Sequence, residues 1–132
     1  ADDVLDRLVT LAENSLIMRD PRPVLIPAGA TTSGIRFGLL RTVQGFALDR
    51  LVEGGRDAGT RRRHADAFAV LAEGAAPHLH AAGQGDWIDL LERDDANLRA
   101  ALRWSIEAGE VLTAFRLFAS LWRFWQLDGH LA

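Results

Sequence analysis

The feature that most constrains this chain is an apolar stretch at residues 111–127. Its spacing predicts a helix in which the polar residues form one narrow stripe, made of Thr113, Arg116, Ser120 and Arg123. Leucine, phenylalanine and tryptophan occupy most of the remaining circumference. A helix that is apolar on so many sides must be buried on several of them. Because the sequence ends five residues later, we expect a piece of a longer protein in which further helices cover this one.

Composition narrows the classes of function. The chain has 132 residues, no cysteine and no lysine, and all 15 of its cationic residues are arginine. The arginine and alanine usage is typical of a GC-rich genome, and the lack of cysteine excludes disulfides and thiolate metal sites. Residues 1–55 carry a net charge of −1 and residues 56–132 a net charge of −2. Nucleic-acid binding usually needs a basic excess, so the charge weighs against direct DNA contact.

The first half combines helices with short strands. The pattern predicts a helix at 3–14, strands at 15–19, 24–26 and 35–37, a loop of small residues at 28–34, and a helix from Leu40 to Gly54. This order of helix, small β-hairpin, strand and helix matches a winged-helix module. We therefore predict a winged-helix-like module over residues 1–55, with the second helix packed back on the hairpin.

The second half has only helical patterns. Four helices are expected in antiparallel succession, with Pro77 kinking or ending the first of them and Asp86 capping the second. The pair Asp94 and Asp95 separates the second helix from the third. The predicted fold is mainly α: a winged-helix-like module followed, over residues 56–132, by antiparallel helical hairpins that resemble the start of a tetratricopeptide array.

Three segments carry a family resemblance. Residues 37–51 read FGLLRTVQGFALDRL and are similar to an FRLLETVREYALERL segment of large bacterial transcriptional regulators. Residues 91–104, LERDDANLRAALRW, resemble their LEAEHDNLRAALRW segment, and residues 121–130, LWRFWQLDGH, resemble LWWFWYLRGH. These regulators are the LuxR- and AfsR-like signal-transduction ATPases of the STAND class, which are common in actinobacteria. In that family a P-loop ATPase domain precedes a winged helix and a tetratricopeptide-like array.

The resemblance implies a regulatory, non-catalytic role. The winged helix would transmit the nucleotide state of an upstream ATPase domain, and the helical array would receive a protein or small-molecule signal. The sequence holds no P-loop motif, so we expect no catalytic residue, no cofactor and no metal in this fragment, and a cytoplasmic location. The alternative is a winged-helix DNA-binding transcription factor with a helical dimerisation tail. The chain departs from the family at Arg41, Gln44, Gly45, Phe46 and Ala96. If the lost polar groups normally contact the ATPase domain, these departures imply altered regulation.

Two groups of residues are candidate contacts. The run Arg61, Arg62 and Arg63 could bind phosphate or DNA, could contact the ATPase domain, or could form a solvated helix start beside nearby acids; we favour the solvated start. The tryptophans could line a ligand pocket but more often anchor helix packing. We expect this fragment to leave Trp122, Phe124 and Trp125 without full cover and to self-associate through Trp122 and Trp125, with a homo-oligomer as the result.

Two other clusters are weaker candidates. His78 and His80 are two residues apart, so on a helix they point in opposite directions and cannot chelate one ion. The acidic run at residues 86–95 lacks the glycine and the alternation of a calcium loop. It is better explained as acids that favour helix starts through the macrodipole.

Overall fold

A computed structural model describes residues 2–22, 26–27, 29–30, 35–80 and 83–127. Over this part the chain is mainly helical and holds one two-stranded antiparallel sheet, which confirms the predicted fold class. The backbone divides into two compact units. The first comprises Ala1–Val24 with Ser33–Asp57, and the second comprises Leu25–Thr32 with Ala58–Ala132.

The first unit begins with helix α1 (Asp2–Glu13), which packs on strand β1 (Ile17–Arg19). Ser15 has a φ of 59°, in the left-handed region, and this residue turns the chain between the two elements. The Leu16 amide donates to the carbonyl of Leu11 at 2.9 Å, which closes the turn. Ile17 is the buried residue of β1.

Strand β2 (Phe37–Leu39) pairs antiparallel with β1, with Ile17 opposite Leu39 and Arg19 opposite Phe37. The predicted strands at 15–19 and 35–37 were therefore wrong in their limits. Ser15 cannot extend β1 in its left-handed conformation, and β2 begins two residues later than expected. Val24 and Leu25 of the predicted strand at 24–26, and most of the predicted loop, lie outside the described residues.

Helix α2 (Arg41–Glu53) matches its predicted range but not its predicted packing. None of its side chains is buried, whereas we had expected an apolar stripe to pack on the hairpin. Phe46 is 63% exposed and Val52 is 59% exposed. The apolar residues of α2 lie around the whole helix rather than on one face, so no single contact can cover them.

The second unit contains α3 (Asp57–Ala75), a 3-10 helix (Ala76–His80), α4 (Gln84–Arg93), α5 (Asp95–Glu107) and α6 (Val111–Leu127). Helix α3 ends two residues before Pro77, as predicted. The prediction that Asp86 caps α4 was wrong. The cap is Gly83, whose φ of 86° suits glycine, and the Asp86 amide already bonds to the Gly83 carbonyl within the first turn.

The core of the second unit forms where α6 packs on α5 and on the 3-10 helix. Helix α3 contributes mainly alanine side chains, which allow close packing, together with Leu71, and the other elements contribute large side chains. The fully covered larger residues are Leu79, Leu90, Leu91, Leu98, Leu117, Leu121 and Phe124. This core holds α5 and α6 side by side and so fixes the surface described next.

Candidate interaction surface on the last two helices

A tight turn joins α5 to α6. Gly109 has a φ of 73°, which only glycine adopts without strain, and its amide donates to the carbonyl of Ile106. The next amide, of Glu110, donates to the Ser105 carbonyl at 2.8 Å. These two bonds are the usual termination of a helix by a left-handed glycine. They bring α6 back along α5 as its antiparallel neighbour.

Helix α6 has a covered side and an apolar exposed side. Leu117, Leu121 and Phe124 are 0% exposed on the covered side. The polar residue Ser120 is also buried, whereas Thr113, Arg116 and Arg123 are half-buried. The polar stripe predicted from the sequence therefore borders the covered side. The opposite side is defined here as the outer face of α6. It consists of Leu112, Phe115, Phe118 and Trp122, each between 43% and 73% exposed.

Trp125 lies on the covered side and is held by an acidic residue of α5. Its indole Nε1 donates to Oδ1 of Asp95 at 3.0 Å, and Arg99 Nε donates to Oδ2 of the same carboxylate at 2.9 Å. The Arg99 guanidinium lies over the Trp125 ring, 5.2 Å from its centroid. Trp125 is 4% exposed. The expectation that Phe124 and Trp125 lack cover was therefore wrong, whereas Trp122 is exposed as expected.

A groove runs between α5 and α6 on the same side of the unit. It consists of two adjoining cavities of about 430 and 400 Å³ that share Leu102, Ile106 and Phe118. The first cavity adds charged residues from α5, namely Arg99, Arg103 and Glu107. The second is almost wholly apolar and adds Val111, Ala114 and Phe115. We call this feature the α5–α6 groove; it is charged at one end and apolar at the other.

The three consecutive arginines of α3 do not form one site. Arg62 donates a hydrogen bond to Glu110, which lies just before α6, and this bond raises the pKa of the guanidinium above its usual value. A similar ion pair joins Arg116 of α6 to Glu73 of α3. Arg61 and Arg63 are exposed. Arg62 therefore links α3 to the start of α6 within its own unit, and Arg61 and Arg63 stay candidate contacts.

The other clusters have local structural roles. The His78 ring stacks on Trp87, with centroids 4.3 Å apart and planes 3° apart. Asp94 is buried at the junction of α4 and α5, where its carboxylate accepts a bond from Asn97 at 3.2 Å. Among the described residues no three His, Asp or Glu side chains are grouped as a metal ion would require. Within the same part of the chain, no helix is long and apolar enough to cross a bilayer.

The hairpin of the first unit has a basic cluster that the sequence analysis missed. Arg19, Arg22 and Arg36 line a cavity of about 420 Å³ together with Asp20. Arg22 Nε donates to both carboxylate oxygens of Asp20, at 2.9 and 3.0 Å, and this pairing raises the pKa of Arg22. Residues 15–41 hold four arginines and one acid. The net charge of residues 1–55 hides this local excess because the acids are concentrated in α1.

Comparison with known proteins identifies relatives for nearly the whole chain. It is 34% identical over 131 residues to an HTH-type transcriptional regulator of Mycobacterium bovis and to its counterparts in two strains of Mycobacterium tuberculosis. The match covers 97% of this chain but only 13% of the length of each relative. No protein-family model matches the chain, and no solved structure matches it. The chain is thus similar to one segment of much longer transcriptional regulators.

Proposed function

We propose that this chain is a segment of a transcriptional regulator. The proposal is supported by the similarity to HTH-type regulators over 97% of the chain. The term HTH denotes the helix-turn-helix, a DNA-binding motif. The name of the relatives therefore favours the DNA-binding alternative over a regulator of the STAND ATPase class, because it says nothing of nucleotide hydrolysis. Within such a regulator the chain has two candidate roles: protein interaction through the second unit and DNA binding by the first unit. A different observation supports each role.

The role that the geometry supports best is protein interaction through the second unit. The single observation that carries it is the outer face of α6, where four large apolar side chains follow one another at helical spacing and stay exposed. Soluble proteins rarely expose a contiguous apolar patch unless it binds a partner or a neighbouring segment. The adjoining α5–α6 groove extends this patch onto a second helix.

Direct DNA binding by the first unit is the second candidate, and the basic cluster of the hairpin favours it. A hairpin with Arg19, Arg22 and Arg36 could contact backbone phosphates. Helix α1, which precedes the hairpin, argues the other way. It carries four acids against one arginine, so a DNA phosphate backbone would repel it if it entered the major groove. We therefore place DNA contact second.

A DNA titration distinguishes the two roles. We expect no saturable binding of the chain to labelled duplex DNA at about 0.15 M salt, because few phosphates can be neutralised while α1 opposes approach. The variant Arg19→Glu should behave like the unaltered chain. Binding that falls steeply with salt and is lost in Arg19→Glu, but not in the matched variant Arg56→Glu at an exposed position outside the hairpin, would favour the DNA-binding role instead.

We further propose that the segment works beside a nucleotide-binding domain of its regulator, as the resemblance of residues 37–51 and 91–104 implies. On this proposal the chain itself binds no nucleotide and needs no cofactor, and its regulator acts in the cytoplasm. Purified chain should hydrolyse ATP no faster than a buffer blank in a phosphate-release assay. Turnover that co-purifies with the chain and scales with its concentration would contradict this expectation.

A further inference from the structure

Two surfaces of this chain are complementary. One is the α5–α6 groove, which is apolar at the Val111 end and bordered at the other end by Arg99, Arg103 and Glu107. The second is the apolar side of α1. Packing on β1 leaves Val4 61% exposed, Leu5 58% exposed and Val9 47% exposed. Both surfaces are apolar along a helix, and each has on one border an exposed charged side chain that forms no ion pair within the described residues.

The charges on the two borders are opposite. Arg103 is exposed at the groove and has no ion-pair partner within the described residues. Asp6 is exposed on α1, next to the edge formed by Leu5 and Val9, and it too has no ion-pair partner in the described part of the chain. Neighbouring charged residues, in contrast, do form ion pairs: Arg99 pairs with Asp95, and Asp3 pairs with Arg7. Arg103 and Asp6 are therefore available to each other.

The dimensions also agree. At about 1.5 Å per residue, the 12 residues of α1 are about 18 Å long. The α5–α6 groove follows α6 from Val111 to Trp125, which is about 21 Å by the same rise. An open groove of this length between two helices suits an amphipathic helix, which lays its apolar side along the groove. A small molecule would need a more enclosed pocket.

We propose that the α5–α6 groove binds helix α1 of a second copy of this chain, with Asp6 of one copy facing Arg103 of the other. Val4, Leu5 and Val9 then cover the shared apolar floor of the groove. The contact joins two different surfaces, so it is heterologous, and each copy carries both halves of it. It differs from a symmetric contact between two α6 helices, which would bury the outer face of α6 and leave α1 unused.

A charge exchange in the full 132-residue chain tests this contact. Sedimentation equilibrium at micromolar concentrations should show a mass that rises with concentration above that of one chain. Arg103→Glu and Asp6→Arg should each weaken the association about tenfold or more, because each places like charges opposite one another. An equimolar mixture of the two variants should regain association, since a contact between the two different variants pairs opposite charges whichever of them supplies the groove.

Matched controls separate this contact from general charge effects. Arg56→Glu, just before α3, and Asp49→Arg on α2 make the same charge changes at exposed positions that line neither surface, and neither should alter the association. Circular dichroism of each variant checks that the helices are retained. A mass that stays at one chain at all concentrations overturns the proposal. So does association that Trp122→Asp abolishes while Arg103→Glu and Asp6→Arg leave it unchanged, because that pattern indicates a symmetric contact through the outer face of α6.

Discussion

Replacing Phe124 by alanine is expected to lower the free energy of unfolding of the second unit by about 3–5 kcal/mol. Phe124 is 0% exposed and lies on the covered side of α6. Its ring is enclosed by the core that α6 forms with α5 and the 3-10 helix. Alanine would leave a cavity that close-packed neighbours fill only in part, so both transfer energy and packing energy are lost.

The matched control is Phe115→Ala, which removes the same ring from the same helix. Phe115 is 67% exposed, so its loss should change stability by no more than about 0.5 kcal/mol. Urea denaturation followed by circular dichroism, at a concentration too low for association, measures both variants. If the two variants lose equal stability, the helix does not present the faces that the structure assigns to it.

Helices of the second unit could be predicted from the sequence because their limits depend on local signals. The range of α6, residues 111–127, agrees with its periodic pattern. Gly109 ends α5 by adopting a positive φ, and Pro77 prevents α3 from continuing as an α-helix. Each of these effects acts within about one turn, so neighbouring residues contain all the information that is needed.

Features that depend on distant residues could not be predicted in the same way. Apolar residues surround most of α6, so the pattern alone did not indicate that Phe124 and Trp125 face inward while Phe115 and Trp122 face outward. Which side chains of α6 face inward depends on distant partners such as Asp95. Asp95 lies 30 residues before Trp125 and accepts a hydrogen bond from its indole. Nothing in the sequence around Asp95 predicts that its carboxylate accepts a hydrogen bond from an indole N–H.

The α5–α6 groove and the basic cluster of the hairpin were missed for a related reason. Arg99 and Arg103 are ordinary helix residues in the sequence, and only the antiparallel packing of α6 makes them the border of a groove. Arg19 and Arg36 are 17 positions apart, and strand pairing brings them to one cavity. In the net charge of residues 1–55, the negative charges of α1 cancel the positive charges of this cluster. Local charge becomes informative only when the pairing of the strands is known.

Trp125→Asp should have the largest effect of any substitution on α6. The change removes a ring that is 4% exposed, a loss of about 3–5 kcal/mol by itself. It also places a second carboxylate beside Asp95 in a largely covered position, where like charges repel and desolvation is costly. Because small domains are stable by only about 5–15 kcal/mol, we expect much of the second unit to be unfolded, with loss of helical circular dichroism.

Two companion variants separate the contribution of the Trp125 hydrogen bond from the effect of placing a carboxylate on α6. Trp125→Phe keeps an aromatic ring but loses the bond from Nε1 to Asp95, so it should cost about 0.5–1.5 kcal/mol beyond the change in ring size. Trp122→Asp makes the same chemical change as Trp125→Asp at a side chain that is 43% exposed, and it should leave the helices folded. The expected order of damage is Trp125→Asp, then Trp125→Phe, then Trp122→Asp. If Trp122→Asp instead unfolds the unit and Trp125→Asp does not, α6 is turned with its outer face toward the core, and the arguments for the α5–α6 groove fail with it.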